Sequence, residues 1–376
     1  MKKILIIKPS SLGDVLHAFP AVAALASACG KDKCAFSWLI HPAFSDLLDY
    51  LPFVKKKIFF ERKLLGKFST FFPAFFRLLV SLREEKYDAV YDLQGLFRSG
   101  IFSFLTGSPL RYGSANPREK IAKLFYNRTM SYPEGVQHAA DKLCHMVSST
   151  SHIPLPEKYY TMPVLEKFRK TAFAAAKEAG LDIPGVLAEG KKLIAVAPGA
   201  RWQSKMWAEK YFAEIISELH WEEPEKYCFM LLGSPAERES ISRLKELLSP
   251  IEVFDLCGKT SVGELVELIR AADMLLCNDS GPMHIAAFTE TVPAAFFGPT
   301  DPVLTGPCSR NALIFQAQDL PCIKCFKKSC EDLSCHSKLD LAGIIASIRS
   351  ILRSSPTSCI LAEQENITVN CEENRK

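Results

Sequence analysis

The sequence predicts an α/β protein made of two parallel-sheet domains that face one cleft. Three observations carry this. Short apolar runs without alternation recur along the chain, as expected of strands buried on both faces. Most of them end in a polar or glycine-containing turn that opens a helical pattern. The length, 376 residues, exceeds what a single core ordinarily serves, so the chain should divide.

The first unit is Met1 to Ala24. Ile4 to Ile7 is an unbroken aliphatic run, and Ser10, Ser11 and Gly13 then interrupt it. Val15, Leu16, Phe19, Val22 and Ala23 resume at helical spacing, with Pro20 a point where the helix kinks or starts late. Strand, turn and helix place Asp14 at a helix start beyond a strand's carboxyl end, the usual ligand crevice of open parallel sheets. A carboxylate there either caps the helix or does chemistry.

Cys34 to Ile40 is a second strand, closed by His41-Pro42. Residues 55–83 are the most basic and aromatic part of the chain: Lys55, Lys56, Lys57, Arg62, Lys63, Lys67, Arg77 and Arg83 are interleaved with phenylalanines. From Phe72 onward the apolar positions fall on one helical stripe, with Pro73 tolerable only in a first turn. This is either a crossover helix packed on the sheet or a face for an anionic membrane or a phosphorylated, lipid-linked acceptor. Tyr87 to Leu93 is another buried strand, and it runs into Gln94-Gly95-Leu96-Phe97-Arg98. Arg98 either binds a substrate anion or makes an inconsequential surface pair.

Prolines between Ile153 and Gly190 mark the interdomain connection. The boundaries expected are a first domain over 1–165, a linker region over 166–190, a second domain over 191–338, a helix over 339–353 that crosses back to the first domain, and a disordered tail over 354–376. In the second domain, strands over Ile194 to Ala197, Cys228 to Leu232, Val253 to Leu256 and Met274 to Cys277 alternate with helices. Lys205 offers a point charge to a leaving diphosphate, and Glu237 an acceptor for ribose hydroxyls. Ser280 and Gly281 offer N–H groups to an anion at a helix start. No P-loop or dinucleotide-binding glycine pattern is present.

Composition narrows the function. A net charge of +4 does not suggest a nucleic-acid binder. Four aliphatic residues before Lys8 are too few for a signal peptide, no apolar run reaches spanning length, and thirteen cysteines without an export signal fit a reducing cytoplasm.

Taken together, Ser10-Ser11-Leu12-Gly13-Asp14-Val15-Leu16-His17, Asp92-Leu93-Gln94-Gly95-Leu96, Arg201-Trp202-Gln203-Ser204-Lys205-Met206-Trp207, Asn278-Asp279-Ser280-Gly281-Pro282-Met283-His284 and Gly298-Pro299-Thr300-Asp301-Pro302 resemble the ADP-heptose:lipopolysaccharide heptosyltransferases of glycosyltransferase family 9. The order holds over about residues 1–345, and the first and last motifs are more similar to the type I enzymes than to type II. The resemblance implies a GT-B fold of two Rossmann-like domains and an inverting transfer of heptose from ADP-heptose to the Kdo or heptosylated inner core of lipopolysaccharide. It implies Asp14 as general base and Lys205 as the cation at the departing ADP. The donor would be held by Glu237, Asp279, Ser280, Gly281, His284 and Thr300, and the acceptor by Ser10, Gly13, His17 and Arg98. His17 would orient Asp14 or the acceptor, or serve structure alone.

No metal is needed for such a transfer. Cys322, Cys325, Cys330 and Cys335 either hold a structural zinc or remain thiols or a disulfide. The enzyme would work in the cytoplasm at the inner face of the inner membrane. Readings left beside this are another sugar or acceptor, type II activity, or a silent nucleotide-sugar binding module; the last would need no base at Asp14.

Overall fold

The computed structural model describes residues 1–30, 33–66, 68–151 and 153–354; most of the expected tail, from residue 355, lies outside them. Among the described residues twelve strands form two six-stranded sheets in which every pairing is parallel. The first contains β1 (Lys2–Ile7), β2 (Cys34–Ile40), β3 (Val54–Phe59), β4 (Ala89–Asp92), β5 (Leu110–Ser114) and β6 (Arg128–Met130), in the order β3-β2-β1-β4-β5-β6. The second contains β7 (Lys192–Ala197), β8 (Tyr227–Leu231), β9 (Phe254–Asp255), β10 (Met274–Asn278), β11 (Val292–Phe297) and β12 (Leu313–Gln316), in the order β12-β11-β10-β7-β8-β9. Numbered from its own first strand, the second sheet has the same winding as the first. In each, the chain reverses direction between the first and fourth strands, which opens a crevice beyond their carboxyl ends.

Alternation along the central strands assigns the cores. On β1, Leu5 and Ile7 pack under the helix Phe68–Glu84, while Ile4 and Ile6 join a larger core. That larger core also takes Leu193, Ala195 and Ala197 of β7, so one continuous apolar mass lies between the sheets and belongs to both domains. Phe19 stacks on Phe288 across it at 6.5 Å, with Tyr160 edge-on to both rings. Tyr50 Oη donates to the buried Glu267 carboxylate at 2.8 Å, a further cross-domain tie.

Several expectations are corrected. Leu12–Cys29 is in fact long and apolar enough to cross a membrane by length and composition, yet more than half of it is buried in the protein. It is two helices, Leu12–His17 and Phe19–Cys29, because Pro20 falls in the first turn of the second. Pro73 lies in the interior of Phe68–Glu84, not in its first turn, where its exposed ring faces solvent. The basic run 55–57 is the edge strand β3, whose lysines pair with Glu85 and Asp49. The stretch 166–190, expected as a linker region around a helix over Lys167 to Ala179, holds that helix as Glu166–Glu178 and a second, Ile183–Ala188, and Ala172, Ala176, Ile183 and Leu187 are buried.

The helix over Leu341–Ser354 does not cross back to the first domain. It lies on the outer face of the second sheet with Ile344, Ile345, Ile348 and Leu352 in that core, and Arg349 and Arg353 bind Glu218 and Glu222 of the helix Glu209–Glu222. Its apolar stripe fits a surface already hydrophobic, including Ile215, Ile216 and Leu219. Ile348→Ala should therefore lower global stability by about 2–5 kcal/mol, read from the urea midpoint; an unchanged midpoint would contradict this docking.

Candidate active site

Beyond β1 the chain turns through Lys8 to Ser11 into the helix Leu12–His17. Asp14 Oδ2 accepts from the Ser11 backbone N–H at 2.9 Å and from Ser11 Oγ at 2.8 Å, a capping arrangement at the helix start. No hydrogen bond to Asp14 Oδ1 occurs among the described residues. Lys8 is buried below this turn and donates through Nζ to the Leu93 carbonyl at 2.8 Å, tying the ends of β1 and β4 together. Burial opposes ionisation of Asp14, but the Lys8 charge, the two Ser11 bonds and His284 outweigh it, and the carboxyl titrates below the ordinary carboxylate value.

Asp92, at the end of β4, accepts from the Gln94 and Gly95 N–H groups at 2.9 and 3.2 Å and from Tyr126 Oη at 2.7 Å. Burial nevertheless raises its pKa. The Gln94-Gly95 turn, with Gly95 at φ +68°, is thereby fixed beside Lys8.

The matching corner of the second domain is built around Asp279, just beyond β10. Its Oδ2 receives Lys205 Nζ at 2.6 Å and Thr300 Oγ1 at 2.6 Å, and both Asp279 and Thr300 are buried. The Lys205 ammonium also stands 4.8 Å from the Trp202 ring centroid. Asn278 holds the Lys205 loop from behind, donating to the Pro198 carbonyl at 2.6 Å and accepting from the Trp207 N–H at 3.1 Å. Ser280 starts the helix Gly281–Phe288, and its buried Oγ makes no hydrogen bond among the described residues. Glu237 Oε2 accepts from the Ser234 N–H at 2.6 Å at the end of β8, and its other oxygen fills the space that a Cβ on Gly199 would need.

The two corners meet. A Cβ on residue 13 would overlap the His284 ring, with Nε2 at 2.7 Å, and one on residue 281 would stand 3.1 Å from a Leu12 methyl. His284 is thus wedged between the helix starts; burial holds its pKa down at about 4, against the pull of the Asp279 and Asp14 carboxylates.

A family model described as glycosyltransferase family 9 (heptosyltransferase) matches residues 75–336, more than half of the chain. The chain belongs to glycosyltransferase family 9. It is 28% identical over 338 residues to lipopolysaccharide heptosyltransferase 1 of Pseudomonas aeruginosa, covering 87% of each, and 26% identical over 361 residues to lipooligosaccharide heptosyltransferase 2 of Campylobacter jejuni, covering 94% of this chain and 99% of that one. In fold it is similar to a family 9 glycosyl transferase from Veillonella parvula, with a TM-score of 0.77 at 19% identity over 94% and 98% of the two chains. It is similar also to E. coli heptosyltransferase WaaC with ADP, with a TM-score of 0.72 at 23% identity over 93% and 99%. The family fold is GT-B, and the protein is an enzyme of the glycosyltransferase class.

In this family 9 protein the residues expected to face the cleft divide. Asp14, Gly13 and His284 come together, as do Lys205, Asp279 and Thr300; Ser280 and Gly281 adjoin them at the helix start, and Glu237 lies at a neighbouring strand end. Ser10 adjoins the Asp14 turn and makes no hydrogen bond among the described residues. His17 does not line open space: it is 3% exposed, its ring 4.6 Å from that of His284 and 5.3 Å from that of His138. Its place on the inward side of a short helix turns it into the protein. Arg98 is also not at the Asp14 corner; it is exposed, with its guanidinium 5.8 Å from the Phe60 ring centroid.

The cysteine segment clasps the Lys205 loop instead of standing apart. Ser204 Oγ donates to the Lys327 carbonyl at 2.5 Å, and His336 Nε2 lies 2.7 Å from the Ser204 carbonyl. Among the described residues Cys322, Cys325, Cys330 and Cys335 form no disulfide; the first two are exposed and the last is buried. Among the described residues, three metal-ligating groups within 4.8 Å of one another occur not there but at His17, His138 and Cys308.

Lys8, Asp92 and Asn278 were not anticipated as parts of the site. Each is a polar residue at the end of an apolar run, a signal present in the sequence but shared with many surface residues. Gly13→Ala should force the helix starts apart, lowering stability by about 1–3 kcal/mol in chemical denaturation. A variant as stable as the parent would show that the contact with His284 yields freely.

Proposed function

We propose that the protein transfers heptose from ADP-heptose to the Kdo region of the lipopolysaccharide inner core, with inversion and with Asp14 as general base. The observation that carries this is the opposition of two unlike corners. An ionised, partly exposed carboxylate stands on one domain, and an ammonium beside a helix start stands on the other, with His284 within electrostatic reach of Asp14, Asp279 and Lys205. Relatives named as heptosyltransferases acting on lipopolysaccharide or lipooligosaccharide, and a fold neighbour solved with ADP, support the substrate classes.

The geometry suits a single displacement. Asp14 takes the proton of the acceptor hydroxyl as its oxygen bonds to the anomeric carbon and the bond to the diphosphate oxygen breaks. Lys205 and the N–H groups at the start of Gly281–Phe288 take up the charge that the departing ADP acquires. Asp279 and Thr300 keep the ammonium in place before the donor arrives, while Glu237 receives the ribose hydroxyls.

Asp14→Asn should cut turnover by about 10²–10⁴-fold with ADP affinity nearly unchanged, whereas Lys205→Ala should reduce both. Because Asp14 is held below the ordinary carboxylate value, it stays ionised as pH falls, and kcat/KM should show no loss of the base above about pH 5. Turnover surviving in Asp14→Asn would remove the assigned role.

We place the activity nearer type I, on the forms of the Ser10-to-His17 and Gly298-to-Pro302 motifs. Kdo-lipid A should then gain heptose from ADP-heptose, and a heptosylated core should not; the reverse makes the enzyme type II, and reaction with neither removes the heptosyl reading.

The acceptor side also suggests work at the inner face of the inner membrane. The helix Phe68–Glu84 turns Ala74, Leu78 and Leu82 to the core, yet leaves Phe72, Phe76 and Val80 exposed on a second apolar stripe among Arg62, Lys63, Arg77 and Arg83. Apolar wedges beside cations suit an anionic lipid surface. Phe72→Ser with Phe76→Ser should weaken sedimentation with phosphatidylglycerol vesicles at least fivefold; equal binding would rule out this face.

A further inference from the structure

Behind the Asp14 turn, between the domains, lies a polar cluster that the transfer reaction does not use. His17 ends the helix Leu12–His17, His138 immediately precedes the helix Ala139–Ser151, and Cys308 follows the short turn Pro302–Thr305 of the second domain. One ligand atom from each lies within 4.8 Å of the other two, and all three residues are buried. We propose that His17, His138 and Cys308 bind a divalent zinc-type cation that ties the two domains together.

Three features point to a ligand. His17 is 3% exposed, and among the described residues its ring nitrogens make no hydrogen bond of full geometry, the Gly306 carbonyl that His138 also faces being the one backbone group that acts on the ring; so poorly satisfied a buried imidazole calls for an explanation such as a bound ion. His138 is oriented from both sides. Its Nδ1 accepts from the Ala140 N–H at 3.2 Å, and its Nε2 lies 3.0 Å from the Gly306 carbonyl. Ligation would exchange one of these two bonds for the metal and leave the other to orient the ring, as the outer-shell bonds of metal-bound histidines ordinarily do. Cys308 supplies a sulfur that is 2% exposed and makes no hydrogen bond among the described residues.

Two imidazoles and a thiolate form a borderline-soft set suited to tetrahedral zinc with one position left over. Binding is balanced by loss of the Cys308 thiol proton to solvent as the metal–sulfur bond forms, with no change of oxidation state. His17 and His138 come from the first domain and Cys308 from the second, so the ion would link them one helical turn from Asp14. The site stands whether or not the transfer reading does.

The segment carrying Cys322, Cys325, Cys330 and Cys335 can compete for zinc, so the test uses the full chain with those four changed to serine, beside the unaltered chain. Each is loaded with Zn²⁺ or Co²⁺ and desalted, and metal content is measured. The four-serine protein should retain one equivalent, show a sulfur-to-cobalt charge-transfer band, and gain thermal stability on zinc addition. Adding Cys308→Ser should remove the equivalent, the band and the gain together, with the metal-free unfolding transition retained. In the unaltered chain, Cys308→Ser should lose one equivalent relative to its parent, which keeps the test valid if the four-serine protein folds poorly. Equal metal content with and without Cys308, or no retained equivalent in either parent, overturns the site.

Discussion

Two positions without side chains set the geometry on which the site depends. At residues 13 and 281 the starts of two helices, one from each domain, come within contact of each other's neighbours, His284 and Leu12. A methyl group at position 13 would occupy the space that the imidazole fills. That close approach brings a carboxylate and an ammonium from different domains around one buried histidine ring. Without it, Asp14 would be a helix cap on one domain and Lys205 the partner of an aspartate on another.

The placement follows from the winding of the sheets. Both have the same strand order, and in both the connections that leave the first and fourth strands run to opposite sides, leaving a crevice beyond the paired carboxyl ends. Lys8 closes that gap in the first sheet through the Leu93 carbonyl, and Asn278 in the second through the Pro198 carbonyl and the Trp207 N–H. In each case a buried polar residue satisfies backbone groups in the segments just beyond the paired strands. Asp14 and Lys205 are thus mounted on segments whose bases are locked, which in the proposed transfer lowers the reorganisation required as charge moves.

Much of this was legible in the chain, and what was not has identifiable causes. β2 was read to its residue limits, and β1, β7, β8 and β10 within one or two residues, because strands buried on both faces leave continuous apolar runs. The strands β3, β5, β6 and β12 escaped: all but β5 are edge strands, all are short or half exposed, and β3 carries three consecutive lysines, two of which pair with Glu85 and Asp49 of neighbouring elements. The terminal helix was recognised by its stripe, but the stripe does not say which of two domains receives it. Asp279 could be singled out because it follows a strand directly, and Asp14 and Lys205 because each lies in the turn or helix start beyond one. The inward turn of His17, and its meeting with His138 and Cys308, depend on contacts between residues more than a hundred positions apart, and local spacing carries no trace of them.

The continuous core between the sheets bears on how substrates come and go. A hinge that swung the domains wide would part Phe19 from Phe288 and expose apolar surface belonging to both, at a cost comparable to partial unfolding. Side chains that interdigitate across such a seam slide over short distances far more readily than they separate. Such a seam favours shear over a wide hinge opening and leaves exchange at the rim to the loops that end the strands.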